Sequence, residues 1–119
     1  MTLRIDALNV DATDAATIGR WWAEVLGWQI GEEDADSLLI APGVVDGATT
    51  GQAILFYDVP DVKVVKSRLH LDFTTDEPEK DIARLEAMGA VRVDIGQGDV
   101  RWVVMADPEG NEFCVLGVT

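Results

Sequence analysis

The sequence predicts an α+β domain made of two tandem modules, each with the order strand, helix, strand, strand, strand. Two stretches have the apolar periodicity of an amphipathic helix, and each is followed by three short stretches of β-type residues. The two halves also align with each other when one is shifted by 62 or 63 positions. We therefore expect one domain over residues 1–119, with module one at about 1–60 and module two at about 66–119.

Module one is predicted to open with a strand over Leu3–Val10, in which apolar residues weakly alternate. Asp14 is the predicted N-cap of a helix whose apolar residues include Ile18 and Trp22, and Gly27 is its predicted stop. Three further strands are predicted at Trp28–Ile30, Ser37–Ala41 and Gln52–Tyr57, the last two separated by a Gly-rich loop.

Module two repeats this order. Its first strand is predicted over Ser67–Thr74, and a helix follows with Asp76 as N-cap and Gly89 as stop. The Val62–Lys66 segment that joins the modules is predicted to be a solvated connector or an edge segment, with lysines that discourage edge pairing. Three more strands are predicted at Val91–Ile95, Trp102–Ala106 and Glu112–Val118, with the turn DPEGN between the last two.

The correspondence between the halves is visible in the letters. EVLG, which ends at Gly27, aligns with EAMG, which ends at Gly89, at an offset of 62. The first strands align at an offset of 63, which pairs Leu8 with Leu71 and implies one inserted residue between strand and helix. Two copies are too few for a solenoid. We expect two sheets paired into a cupped surface, with helices on the outside and a concavity within.

Composition and charge limit the function classes. The net charge of −13 argues against nucleic acid as a partner, because phosphates require Lys and Arg. It is compatible with a cationic ligand, although an acidic solubility surface is the simpler interpretation. No apolar run is long enough for a membrane span or a signal peptide, and the single Cys excludes an internal disulfide. We therefore expect a cytoplasmic protein without a membrane partner.

His70 and Asp72 are the candidate catalytic residues. They are two positions apart in a predicted strand, so their side chains share one face of the sheet. A His–Asp pair can act as a general base oriented by a carboxylate, or it can bind a polar ligand. The alternative is that His70 belongs to a structural hydrogen-bond network.

Candidate ligand contacts come from several other strands and a helix. Trp102 can form a flat wall for an aromatic or cationic ligand, with core packing as the alternative. Cys114 is expected to be a small buried hydrophobe, since a nucleophilic role would require His70 as its base. The set is completed by Trp22 on the helix, Arg101 at a strand start and Asn9 on the first strand.

Three stretches give the chain a family resemblance. It resembles the vicinal oxygen chelate superfamily of glyoxalases, bleomycin-resistance proteins and extradiol dioxygenases, and within it the compact glyoxalase-like subgroup. The resemblance implies a U-shaped sheet cup built from paired βαβββ modules, a small-molecule ligand and a homodimer. The stretches that carry it are WWAEVLGW at 21–28, SRLHLDF at 67–73 and ADPEGNEFCVL at 106–116.

The resemblance also implies where a metal would be held. Metal-dependent members place ligands on the first and last strands of each module. Of these positions, module two keeps His70 and has Cys114 where a Glu is usual, whereas module one has Ala7 and the apolar Ile54–Phe56. Because a catalytic zinc needs three protein ligands, no cofactor is expected. If a divalent metal is bound, His70 and Cys114 are its predicted ligands, joined by Asp6, Asp72 or Glu112 only if their strands face the same way.

Three functions are compatible with these residues. The first is a glyoxalase-like small-molecule-binding protein that acts as a metal-independent lyase or isomerase through His70 and Asp72. The second is a non-catalytic sequestering protein of the bleomycin-resistance kind, which would bind stoichiometrically without turnover. The third is a metal-dependent glyoxalase or dioxygenase with substituted ligands.

Overall fold

The computed structural model describes residues 3–94 and 102–117, which form two four-stranded sheets, a small hairpin and two helices. The chain divides into two compact units, Met1–Val62 and Lys63–Thr119, which we call module one and module two. The predicted α+β fold with two helix-bearing sheets is confirmed. The elements are β1 (Ala7–Ala12), α1 (Ala15–Leu26), β2 (Gln29–Asp34), β3 (Ser37–Ala41), β4 (Gly43–Val45), β5 (Ala48–Thr50), β6 (Ala53–Asp58), β7 (Leu71–Thr75), α2 (Pro78–Ala87), β8 (Val91–Arg92), β9 (Trp102–Ala106) and β10 (Glu112–Gly117).

Module one has a sheet of order β1-β6-β3-β2, in which β1 runs parallel to β6 and the other pairs are antiparallel. The helix α1 packs on one face of this sheet. Gly19 lies so close to the sheet that an added Cβ would collide with the Leu38 side chain and make a tight contact with Phe56. The residues on this face, including Ile40 and Ile54, are almost completely buried, so they form the module's core.

The ends of α1 follow the sequence signals. The Asp14 carboxylate accepts hydrogen bonds from the amide and the hydroxyl of Thr17, at 3.2 and 2.7 Å. These bonds satisfy one of the free amides of the first turn and lower the pKa of Asp14. At the other end Gly27 has φ 68°, a left-handed conformation that a residue with a Cβ adopts with strain. Both predicted ends are confirmed.

Module two has a sheet of order β7-β10-β9-β8, with β7 parallel to β10. The helix α2 lies on one face, since the Thr75 hydroxyl donates a hydrogen bond to the Asp81 carboxylate. Phe73 and Phe113 point to this same face by register and meet edge to face, with ring centroids 5.9 Å apart. The helix-covered face therefore contains the module's aromatic core.

Several predicted boundaries are wrong. The first strand begins at Ala7 and not at Leu3, and the residue at the N-cap of α2 is Glu77 and not Asp76. Glu77 makes no capping hydrogen bond through its side chain, but its amide donates to the Thr75 hydroxyl at 3.0 Å. The strand β7 was predicted to begin at Ser67, but it begins at Leu71, after His70. The predicted strands Val91–Ile95 and Glu112–Val118 extend into residues outside the described ranges.

The predicted Gly-rich loop of module one is instead a β-hairpin. Strands β4 and β5 pair antiparallel around Asp46 and Gly47, both of which have positive φ, at 51° and 80°. An Asp-Gly pair with two positive φ angles is the usual two-residue hairpin turn. Neither helix in the described part of the chain is long and apolar enough to cross a membrane.

Candidate functional site

His70, Asp72 and Cys114 lie together on the face of module two opposite α2. Cys114 of β10 is the register partner of Asp72 in β7, so the two side chains stand side by side. Because Thr75 and Phe73 point toward the helix side, the alternating Asp72 points away from it. His70 is two residues before Asp72 and completes the group. We call the sheet face that carries these residues the helix-free face.

The three side chains are close enough to act as one group. Their ligand atoms, a His ring nitrogen, a carboxylate oxygen and the Cys sulfur, all lie within 4.8 Å of one another. The His70 Nδ1 is 3.7 Å from the Asp72 Oδ1, which is ion-pair distance but longer than a hydrogen bond. The side chain of His70 is 30% exposed and that of Asp72 is 62% exposed, so both are accessible to a ligand.

Cys114 differs from its two neighbours in being buried, with 3% of its surface exposed. Burial raises the pKa of the Cys114 thiol, and its hydrogen bond to Asp72 and the negative charge of that carboxylate raise it further. Lys66 opposes these effects, because a nearby positive charge favours the thiolate. The thiol is therefore protonated at neutral pH and serves as a donor to Asp72, and not as a free nucleophile.

Trp102 provides an apolar surface on the same face. It pairs with Leu116, while Cys114 pairs with Val104, so Trp102 is the diagonal neighbour of Cys114. Such neighbours lie about 7–8 Å apart, within reach of a large aromatic ring. Trp102 is 40% exposed. A ligand that contacts the polar group can therefore rest an apolar part on this indole.

The turn between β9 and β10 leads into the strand of Cys114, and it begins at Asp107. This carboxylate is buried, with 3% exposed, and accepts hydrogen bonds from the amides of Glu109 and Asn111, both at 2.9 Å, and from the Asn111 side chain. Gly110 has φ 87°, which allows the reversal. Sequence reasoning identified the turn but missed the role of Asp107, although Asp at a turn start is a known signal.

Glu112 anchors the stretch of chain that precedes β7. Its carboxylate accepts hydrogen bonds from the Lys63 Nζ at 2.7 Å and from the Ser67 amide at 3.1 Å. Burial tends to raise the pKa of Glu112, but the hydrogen bonds from Lys63, Ser67 and its own amide hold it at about 2. The predicted solvated connector is thus tied down at Lys63, whose side chain is only 22% exposed. Val64 and Val65 beside it are exposed, as predicted.

The remaining predicted site residues lie in module one or outside the described residues. Trp22 is 6% exposed and packs edge to face on Trp21 in module one, so it offers little surface to a ligand. Asn9 is an exposed residue of β1 in the same module. Arg101 lies outside the described residues. The ligand roles of Trp22, Asn9 and Arg101 stay predictions.

A divalent metal ion fits the helix-free face of module two in donor number and type. Asp72 faces the same side of the sheet as His70 and Cys114, so it can serve as the third metal ligand. One imidazole, one carboxylate and one thiolate are a suitable set for zinc with an open position. In module one, Ala7 and Ile54–Phe56 have no ligating side-chain atoms.

Comparison with known proteins identifies the family. The sequence profile of the glyoxalase-like domain matches residues 7–116, which is nearly the whole chain. The chain belongs to this family. A search among curated protein sequences found no match.

Several solved structures share the fold of this chain. A glyoxalase/bleomycin resistance protein/dioxygenase family enzyme from Burkholderia phytofirmans superposes with a TM-score of 0.69 at 18% identity, over 95% of this chain and 97% of that one. A possible glyoxalase from Bacillus cereus gives 0.68 at 16% identity, over 97% and 99%. The fosfomycin resistance protein FosX from Listeria monocytogenes, crystallised with Mn(II) and sulfate, gives 0.69 at 14% identity, over 100% and 93%. At these identities the likeness shows the fold alone.

Proposed function

We propose that this glyoxalase-like protein binds an organic small molecule on the helix-free face of module two and acts on it as a metal-independent lyase or isomerase. The observation that carries the proposal is the group formed by His70, Asp72 and Cys114, whose ligand atoms lie within 4.8 Å on a face that also has the exposed Trp102. Accessible polar side chains beside an apolar surface are characteristic of small-molecule sites.

His70 is the proposed general base. Its Nδ1 faces the Asp72 carboxylate, which leaves Nε2 as the nitrogen available to a ligand. When the imidazole takes a proton from an acidic C–H bond, Asp72 stabilises the imidazolium by its charge. The Cys114 thiol donates to Asp72 and restrains the carboxylate. Loss of a leaving group, or return of the proton at another carbon, then completes a lyase or isomerase reaction.

The first experiment locates binding. Aromatic small molecules of anionic, cationic and neutral charge are titrated while tryptophan fluorescence is followed. A ligand of the helix-free face should change the emission of wild type and of Trp21→Phe, a matched control in module one. The change should be lost in Trp102→Phe. A response that persists in Trp102→Phe would contradict this location.

A second experiment tests proton transfer without knowledge of the natural substrate. A bound ligand with an acidic C–H bond is incubated in D₂O with a catalytic amount of protein, and deuterium incorporation is followed by NMR. We expect exchange with wild type, a fall of about 10²-fold or more in His70→Ala, and an intermediate loss in Asp72→Asn. Stoichiometric binding without exchange would contradict the enzymatic proposal and favour a sequestering protein.

A second candidate is a metal-dependent member of the superfamily. It is favoured by the three convergent donors of His70, Asp72 and Cys114, and by the presence of Mn(II) in the FosX relative. A bound zinc would supply a Lewis acid that polarises a ligand oxygen. His70, Asp72 and the thiolate of Cys114 would hold it, and the restraint of Asp72 by the thiol proton would be lost.

Metal analysis separates the two candidates. The protein is purified without a metal-affinity tag, its metal content is measured, and Co²⁺ is titrated into wild type, His70→Ala and Cys114→Ser. Stoichiometric binding with a thiolate charge-transfer band, abolished in Cys114→Ser and unchanged in a Glu79→Gln control on α2, would establish the metal site. Only trace metal and no such band is the result expected from the first proposal.

We also propose that the protein forms a homodimer, as expected from the family resemblance. Val64, Val65 and Leu69 are exposed apolar residues within one short stretch, between 77% and 89% exposed. Light scattering after gel filtration should give twice the chain mass of 12.9 kDa. A monomer at micromolar concentration would contradict it.

A further inference from the structure

We infer that the ligand held on the helix-free face of module two carries an anionic group, and that Lys66 is the side chain that recognises it. The inference rests on the proposed function, because it names the ligand class for that same site. It differs from the cationic ligand with which the net charge of the chain is compatible.

The charge of the chain is unevenly distributed. The net charge is −13, yet three of the nine Lys and Arg residues fall within positions 63–68, namely Lys63, Lys66 and Arg68. No Asp or Glu occurs between Asp61 and Asp72. Since local charge and not net charge governs a bound group, this basic stretch decides the sign of any ligand that it contacts.

Hydrogen bonds place the basic stretch beside the site. Lys63 and the Ser67 amide both bind the Glu112 carboxylate, so the peptide bond between Lys66 and Ser67 lies against that carboxylate. Glu112 is two residues before Cys114 on β10 and shares its face, about 7 Å away along the strand. The backbone of Lys66 is therefore held near the site, and the charge of its side chain acts on the Cys114 thiol.

Lys66, unlike Lys63, is available to form an ion pair with a ligand. Glu112 neutralises Lys63, whereas Lys66 is exposed and no carboxylate in the described ranges forms an ion pair with it. Asp72, the acid within the site, faces His70 and receives the hydrogen bond from Cys114. A ligand anion can therefore supply the counter-charge of Lys66, while the ligand's apolar part rests on Trp102.

Three probes of similar size test the inference: phenylphosphonate, benzyl alcohol and benzyltrimethylammonium. Binding is measured by calorimetry and tryptophan fluorescence at low ionic strength. We expect phenylphosphonate to bind most tightly and to weaken as salt is added. Lys66→Met should weaken it about tenfold or more, and Lys66→Glu should shift the preference toward benzyltrimethylammonium. Lys80→Met is the matched control, because Lys80 is an exposed lysine on α2.

The outcomes distinguish the inference from the proposed function. Equal binding of phenylphosphonate to wild type, Lys66→Met and Lys80→Met would overturn the role of Lys66. If benzyl alcohol or benzyltrimethylammonium binds in a Trp102-dependent way and phenylphosphonate does not, the anionic class is wrong while the proposed site stands. Binding of none of the probes would overturn both.

Discussion

The sheet face opposite α1 is the helix-free face of module one, and its strands pair in the same order as those of the helix-free face of module two but carry different side chains. In module one Asn9 pairs with Leu55, and Leu55 with Leu39. In module two the corresponding row is Asp72, Cys114 and Val104. The sequence offset of 63 that aligns the first strands also aligns Asn9 with Asp72 and Ala7 with His70. In module one the apolar Ala7 and Leu55 thus replace two of the three site residues, and the uncharged Asn9 replaces Asp72.

The helix-covered faces differ much less. Both modules bury aromatic and branched side chains under a helix, as at Phe56 in module one and Phe113 in module two. A fold repeated in this way needs both helix-covered faces for stability, because each module must bury apolar surface. The helix-free faces are not bound by this requirement, so their side chains can differ between the modules. We therefore expect mutations to separate the two kinds of face.

The largest effect is expected from the helix-covered face. Phe56→Ala should lower the free energy of unfolding by about 3–5 kcal/mol, because it removes a fully buried ring and leaves a cavity. Trp102→Ala, on the helix-free face of module two, should cost less because that side chain is 40% exposed. Urea unfolding of both variants measures the difference. A larger loss for Trp102→Ala would mean that this residue serves packing more than binding.

The connections between strands provide the next contrast. Module one joins β3 to β6 through an additional hairpin, whereas module two joins β9 to β10 through a short turn built on Asp107. Asp107→Ala should destabilise the protein by about 2–3 kcal/mol, because several donors lose a buried acceptor. Asp107→Asn keeps one acceptor oxygen and should recover part of the loss in thermal unfolding. Equal losses in the two variants would show that the charge, and not the hydrogen bonding, is essential.

Glu112 gives module two an acid-sensitive ion pair with Lys63. Its pKa is lowered from 4.5 to about 2 in the folded protein, so its contribution to stability is present above pH 4.5 and is lost as the pH falls toward 2. The contribution is on the order of 1–3 kcal/mol. Urea unfolding between pH 7 and pH 3 should show a steeper loss for wild type than for Glu112→Gln. Parallel pH profiles would contradict the assignment.

The fold could be predicted to the extent that its signals are local. The cap at Asp14, the stop at Gly27 and the turn at Gly110 depend on a few neighbouring residues, and the structure has all three. The wrong boundaries arose where tertiary contacts override local pattern. Leu3–Ile5 alternates like a strand, but β1 pairs with β6 only from Ala7. The chain before His70 has strand-like residues, yet Lys63 and Ser67 bind Glu112 instead of pairing in the sheet.

The candidate site could be predicted only in part. The spacing of His70 and Asp72 placed both on one face, because alternation in a strand is a local property. Cys114 is close to His70 and Asp72 because of the register between β7 and β10, and this register cannot be read from the sequence. Lys66 was interpreted as a solvated lysine, because the sequence does not show that the Ser67 amide donates a hydrogen bond to Glu112.

The smallest effects on stability are expected from substitutions at the N-termini of α1 and α2. Asp14 caps α1 through its side chain, whereas α2 begins at Glu77 with no side-chain cap and relies on Thr75. Asp14→Ala should lower Tm by a few degrees, because it removes the acceptor for the Thr17 amide. Glu77→Ser should raise Tm slightly, since a hydroxyl at this position can accept a first-turn amide. A fall in Tm for Glu77→Ser, measured by circular dichroism beside an Asp76→Ser control, would show that Thr75 already satisfies this end of α2.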